Sequence, residues 1–294
     1  TVPTRRPDVQ RPVDLVEEIA RLHGFDGIPD SVPQGPGHGL PWRERRLRQV
    51  REVMVGAGFH EALTFSFVGA ADLDSLGFGE GHPVREGIRV VNPLNDTEGV
   101  MRTTLLPGIL KSAAANQARR IPAVRLFEIG KVFLSGGGKL PEQPDRLAFV
   151  IAGRASGMWH GASDEPDIYD GTGVWELLAD RLGIPDTGVR PGSHAAFHPG
   201  RCADLTVGTD VVGTVGEIHP TVASSFGLTG RVVAAEMELV ELLVDRGAWQ
   251  FERPSVYPPI VFDMAFVVAD DTDAADVLAP ARAGAGPYGG DGPV

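Results

Sequence analysis

Apolar residues recur with helical spacing in several stretches of the chain. Leu15, Val16, Ile19 and Leu22 fall on one side of a helix that Asp14 is placed to cap. Glu17 follows at capping-box spacing, and Gly24 offers a stop. A second helix begins near Trp42, with Leu47, Val50 and Met54 on one face and Gly56 and Gly58 after it. Residues 61–68 alternate apolar and polar positions, which predicts a strand. A short strand is expected at 88–91, a helix at 106–120 and a long strand at 124–134. The run 135–139 reads as a turn leading to a strand at 147–152. The pattern then predicts a helix at 174–182, strands at 203–207, 211–218 and 232–239, and a short helix at 221–226.

Strands joined by tight turns, with helices between groups of strands, predict an α+β domain built on a largely antiparallel sheet. Pro and Gly mark a linker over 33–41, and a second break falls near 247–255. Beyond it, 262–268 reads as a strand, Asp270, Asp271 and Asp273 as an acidic cap, and the segment through Val277 and Leu278 as a helix. These open a small α+β domain that the remaining residues do not complete. No internal repeat is found.

Composition narrows the functions. The 294 residues carry a net charge of −12, so any nucleic-acid contact must be confined to a local basic strip. The single cysteine, Cys202, rules out an intrachain disulfide and agrees with a reducing compartment. No apolar run approaches the roughly 18 residues of a membrane span. A first residue other than Met, and a Gly-rich tail, lead us to expect a piece of a longer protein.

Four carboxylates, Asp8, Asp14, Glu17 and Glu18, crowd around the start of the first helix. They read either as helix capping and dipole compensation or as oxygen ligands for Mg²⁺. His194, His198 and Cys202 are spaced by four but interrupted by Pro199-Gly200, which favours turn packing over zinc. The glycines before Lys139 lack phosphate-loop spacing, because Leu140 stands where Ser or Thr is needed. The arginines between Arg43 and Arg51 read as the solvated face of a helix sooner than as an RNA contact. No nucleophile–base triad can be argued.

Arg6-Pro7-Asp8, followed by the run from Asp14 to Pro29, resembles the end of the fifth domain of the β subunit of bacterial phenylalanine–tRNA ligases. The resemblance continues through Gly58–Phe67, Asn92–Asn95, Met101–Leu110, Leu126–Phe133, His198–Arg201 and Gly216–Pro220. These match that subunit's catalytic-like module, and 257–268 is similar to the first strand of its anticodon-binding domain. The order is the family's throughout.

The resemblance implies three domains. Residues 1–33 would be the C-terminal part of the magnesium-binding fifth domain. Residues 42–247 would be a class II aminoacyl-tRNA synthetase-like core, an antiparallel sheet with helices. Residues 255–294 would be a truncated ferredoxin-fold domain, exposing apolar residues such as Phe262 and Phe266. It further implies that Asp8, Asp14, Glu17 and Glu18 bind Mg²⁺, shared with an α subunit.

No catalytic residue is expected in this chain: Leu134 stands where an active class II site carries the arginine that clamps the ATP α-phosphate. ATP-dependent attachment of phenylalanine to tRNA(Phe) would then take place on the α subunit, in a cytoplasmic (αβ)₂ heterotetramer that this chain supports through scaffold, shared Mg²⁺ and contacts with tRNA(Phe). The family's editing domains have no counterpart here, so proofreading is not assigned. The alternative is a non-catalytic relic, a stand-alone module that binds a protein partner only.

Overall fold

The computed structural model describes the chain except residues 1, 33, 34, 36, 38, 94, 137, 139, 155–164, 244–250, 252–255, 259–262, 271, 273 and 286–294. It divides into two compact units, residues 1–246 and 247–294.

In the first unit the elements run α1 (Pro12–His23), α2 (Trp42–Gly56), β1 (His60–Glu61), β2 (Phe67–Val68), α3 (Ala70–Ser75), β3 (Val100–Met101), α4 (Leu106–Ala118), β4 (Ala123–Lys131) and β5 (Asp145–Gly153). They continue with α5 (Ile168–Leu182), β6 (Thr187–Pro191), β7 (Phe197–Val207), β8 (Asp210–Ile218), α6 (Pro220–Ser225) and β9 (Val232–Glu238). Seven strands form one sheet in the order β1-β4-β5-β9-β8-β7-β6; β2 and β3 pair separately. Every pair in the large sheet is antiparallel except β1 with β4, so the sheet is mixed, within the expected α+β class.

Strand alternation divides the sheet into two faces. One presents Phe127, Phe149, Ile151, Val215, Val233 and Met237 to α2 and α5, where Val50, Met54, Trp175 and Leu178 meet them. The other presents Val124, Ala148, Val150, Ala152, Cys202 and Ala234 to α4 and α6, against Leu106, Ile109, Leu110 and Val222. Phe59 meets Phe149 edge-on at 5.5 Å between ring centroids. A sheet covered on both faces explains why β5 reads as a continuous apolar run instead of an alternating one.

Several expectations need correction. The strand expected over 61–68 is interrupted: only its two ends pair, and the middle is drawn out of the ladder by hydrogen bonds at Thr64. The expected strand at 88–91 is reduced to a bridge between Arg89 and Val100. The helix expected at 174–182 starts earlier, at Ile168, where Asp167 accepts hydrogen bonds from the backbone of Tyr169 and Asp170. Gly171 and Gly173 hid that first turn in the sequence. Gly171 lies so close to Val215 and Val233 that an added Cβ would meet them at 2.6 and 2.8 Å. The edge strand β6 and the short α3 were not foreseen.

In the second unit, 263–268 forms no strand, whereas α7 (Ala274–Ala285) forms where a helix was expected. Phe266 is 58% exposed, and Phe262 lies outside the described residues.

Candidate functional site

The carboxylate cluster is built around the start of α1. Pro12 opens the helix, and Asp14 sits in its first turn instead of at the cap, which corrects the expected start. Asp14 Oδ2 accepts from the backbone N–H of Gln10 at 2.9 Å and of Arg11 at 2.6 Å, satisfying donors that precede the helix. Those bonds hold its carboxyl below the usual range.

Arg6 brings Asp8 and Glu18 together: Nη2 lies 2.7 Å from Asp8 Oδ2 and 2.6 Å from Glu18 Oε1. Arg21 Nη2 lies 2.7 Å from Glu18 Oε2. Hydrogen bonds from Arg6, then Arg21, pull the Glu18 carboxyl down to about 2; Arg6 also lowers that of Asp8. Glu17 is exposed and joins none of these contacts. Among the described residues no three His, Cys, Asp or Glu side chains converge on a point a metal could take. In this arrangement a guanidinium stands between Asp8 and Glu18 and helix-start amides hold Asp14, so Mg²⁺ there would have to take oxygens that these donors now occupy. Leu15, Val16, Ile19 and Leu22, the apolar residues of α1, are each more than half exposed.

A second polar assembly lies on the sheet face toward α4. The pairing places Glu128, Ala148, Glu236, Thr214 and Asp204 in one row across five strands. Each carboxylate in the row has an arginine. Arg102 Nη1 donates to Glu128 Oε1 at 2.6 Å, and both side chains are buried. Thr64 Oγ1 donates to Glu128 Oε2 at 2.7 Å, and Arg102 Nε donates to the Lys131 carbonyl at 2.9 Å. Glu236 accepts from Arg146 Nη1 at 3.1 Å, from the Leu105 N–H at 3.2 Å and from the Thr104 hydroxyl. Arg190 Nε lies 3.6 Å from Asp204.

Two glycines make room for the first pair. An added Cβ on Gly108 would meet Thr64 Oγ1 at 2.3 Å, and one on Gly130 would meet Arg102 Nη2 at 2.3 Å. Leu134 bridges to Glu142 and packs against the α4-side core. Arg102 and Arg146 are thus each engaged with a carboxylate of that face. Sequence reasoning missed this row; its one signal was Glu128 between Phe127 and Ile129 in the middle of a strand.

The other candidates separate. His194 packs against Phe78 and Phe197 at 5.1 and 4.8 Å, and burial lowers its pKa. Its Nδ1 accepts from Ala196 N–H, and His198 Nδ1 from Gly200 N–H, so both histidines brace turns. Burial raises the Cys202 thiol to about 11. On α2, Arg46 donates to the carbonyls of Leu182 and Leu242, Arg51 pairs with Glu61, and Arg43 pairs with Asp145. The phosphate-loop candidate includes residues 137 and 139, outside the described set.

Comparison with known proteins adds the following. Residues 28–239 match the phenylalanyl tRNA synthetase beta chain CLM domain, and residues 1–25 match the tRNA synthetase B5 domain. The chain is 37% identical over 283 residues to the phenylalanine–tRNA ligase beta subunit of Geobacter metallireducens, covering 94% of this chain and 35% of that protein. It is 37% identical over 316 residues to the beta subunit of Streptomyces avermitilis, covering 97% and 38%. The chain thus spans about a third of the length of these curated relatives. A solved structure of pyrrolysyl-tRNA synthetase from Desulfitobacterium hafniense superposes with a TM-score of 0.55 at 14% identity, over 79% of this chain and 75% of that one. This last likeness concerns fold alone, and it agrees with the class II synthetase-like architecture.

Removing one member of a buried ion pair strands the other charge, so Arg102→Met is expected to destabilise the first unit by about 3–5 kcal/mol in urea unfolding. Adding Glu128→Leu to that variant should recover most of the loss; no recovery would mean the pair is not the element that matters. At α1, the Glu18 contribution is present above its ordinary value of 4.5 and is lost as pH falls toward about 2. Carboxyl NMR should find Glu18 titrating near that lower value, and Arg6→Gln should move it upward.

Proposed function

Because the chain belongs to the phenylalanyl-tRNA synthetase beta chain family, through a match over residues 28–239, we propose that it forms the non-catalytic body of a phenylalanine–tRNA ligase β subunit. In this reading ATP-dependent attachment of phenylalanine to tRNA(Phe) takes place on an α subunit, which the chain supports within a cytoplasmic (αβ)₂ assembly. The observation that carries it is the α4-side row of the sheet. Arg102 and Arg146 on that face are bound to Glu128 and Glu236, and Leu134 is used as core. Guanidinium groups whose charge is already matched by neighbouring carboxylates make a weaker clamp for a nucleotide phosphate.

The same row supports a docking role. Thr64, held by Glu128 and Arg102, fixes the segment between β1 and β2. Leu63 and Phe65 stand out from that segment at 86% and 79% exposure, with Phe67 beside them at 42%. Rigid, exposed aromatic side chains are what a partner surface uses as anchors, because little entropy is lost when they are covered. We assign this ridge to the α subunit.

The domain reading follows the family: 1–33 as the end of the fifth domain, 42–247 as the synthetase-like core, and 255–294 as the opening of a ferredoxin-like domain. The last rests on α7 alone. Mg²⁺ at Asp8, Asp14, Glu17 and Glu18 is supported by the B5 match over residues 1–25. It requires Arg6 to leave Asp8 and Glu18, since the present arrangement is already neutralised. We derive no catalytic step through the ion.

Co-expression of the full chain with the α subunit, followed by co-purification and aminoacylation of tRNA(Phe), tests the reading. The pair is expected to elute together, and Leu63→Asp with Phe65→Asp to lower complex recovery at least tenfold while the chain stays folded. Separate elution of the unmodified proteins sinks the subunit reading; co-elution without charging favours the stand-alone interaction module. Calorimetric titration of the co-purified pair with MgCl₂ checks the ion: heat that vanishes in Asp14→Ala/Glu17→Ala, with α1 intact by circular dichroism, is the expected result. Equal heat in both proteins removes those residues from the site.

A further inference from the structure

The α4-side face of the sheet is not filled along its whole length. A hollow of about 230 Å³ lies over β8 and β9, walled by Leu106 of α4, by Phe197 at the start of β7 and by Val212. A cavity of about 150 Å³ is enough for a benzene ring, so this one has room for a small organic molecule. Its floor is polar. Register sets Glu236 opposite Thr214 and Arg146 opposite Glu238. Glu236 and Glu238 are two residues apart on β9 and so project from the same face. All four border the hollow.

The polar groups of this floor are unevenly used. Glu236 is well matched: Arg146, the Leu105 N–H and the Thr104 hydroxyl donate to it. Glu238 is half exposed, and its contact with Arg146 Nη2 is long, at 3.5 Å. Among the described residues the Thr214 hydroxyl has no hydrogen-bond partner. Arg146 Nε is buried and also lacks one. Unsatisfied groups of this kind are few in a folded protein and require an explanation.

Charge decides what answers them. Glu236 and Glu238 share one guanidinium, that of Arg146, which leaves the hollow net negative. His194 also lines it but adds no positive charge at neutral pH. Its Nδ1 accepts from the Ala196 N–H, and burial lowers its pKa although Glu236 and Asp204 pull the other way. On the next strand Asp204 faces Arg190 at 3.6 Å. An anion is therefore repelled and a cation drawn in, the more strongly because water is partly excluded. A bare metal ion is disfavoured: among the described residues no three ligating side chains converge, and the apolar wall would go unused.

We infer that the hollow binds a small organic ammonium ion, a primary amine on a short apolar body. An ammonium has three N–H donors. Glu238, the Thr214 hydroxyl oxygen and the remaining lone pair of Glu236 offer it three acceptors. Directly opposed residues stand about 5 Å apart and residues two apart on a strand about 7 Å, which one ammonium bridges. The apolar body would lie against Leu106, Phe197 and Val212, in the usual manner of small-molecule sites, where a few polar groups fix orientation within an apolar wall. The site stands on the hollow alone, whether or not the chain docks on an α subunit.

Ligand-observed NMR and calorimetry of the full chain, at neutral pH, test it with isoamylamine, isoamyl alcohol and isovalerate. These put a positive, a neutral and a negative end on one carbon skeleton. The amine is expected to bind at millimolar concentration or below, and the other two at least roughly tenfold more weakly, the difference one charge-assisted hydrogen bond makes. Glu238→Gln should erase the advantage of the amine. Thr214→Val, which keeps the side chain's shape, should weaken amine binding by a smaller factor. Glu44→Gln, on an exposed position of α2, should bind as the parent does. Circular dichroism and urea unfolding check that each variant is folded. The site is overturned if the amine fails to bind up to about 10 mM, if the alcohol or the carboxylate binds as well, if Glu238→Gln behaves as the parent, or if Glu44→Gln loses as much. Separate elution from the α subunit would sink the ligase reading without touching these titrations. A failed titration with co-purification intact would sink the ammonium site alone.

Discussion

The buried contact between Arg102 and Glu128 governs how the rest of the first unit is arranged. Two charges removed from water are tolerated only when their remaining hydrogen-bonding groups are satisfied. Here that requirement recruits Thr64 from the segment after β1, the Lys131 carbonyl from the end of β4, and room released by Gly108 and Gly130. One electrostatic constraint therefore ties β4, the start of α4 and the irregular segment between β1 and β2. The same logic recurs at the partly buried Glu236 and the buried Glu217, each matched by an arginine. On the α4 side the row's arginines are each engaged with a carboxylate, although Arg146, Thr214 and Glu236 still border a hollow of about 230 Å³.

The N-terminal carboxylates obey the same rule at the surface. Crowded negative charge demands a counter-charge, and sequence spacing alone leaves its identity open. In this fold, arginines and backbone amides supply it for Asp8, Asp14 and Glu18, while Glu17 stands apart. In the proposed reading Mg²⁺ would compete with Arg6 for oxygens of Asp8 and Glu18.

Legibility in the sequence followed the range of the interactions. α2 and α4 could be read because their apolar residues repeat at helical spacing, and β4, β5, β8 and β9 because apolar runs bounded by turn signals mark strands. The uninterrupted strand expected at 61–68 failed because Thr64 answers to a carboxylate sixty-four residues away. The start of α5 failed because Gly171 is chosen for its closeness to Val215 and Val233, a tertiary demand that looks like a loop signal locally. The carboxylate quartet was visible as four acidic residues, but Arg6 was not weighed as their counter-ion. The row on the sheet stayed hidden because its members come from five strands and only register brings them together. Family resemblance supplied what spacing could not, the domain order and the expected partner.

The parallel pairing of β1 with β4 carries a kinetic implication. His60 lies opposite Leu126, so that contact closes a long loop, and closure of such a loop loses chain entropy before any bond rewards it. Local hairpins such as β4–β5 and β7–β8 face no such delay. The edge bearing Leu63 and Phe65 is therefore completed late, after the body has condensed. A neighbour that grips this edge would discriminate finished molecules from half-folded ones, making assembly itself a proofreading step for folding.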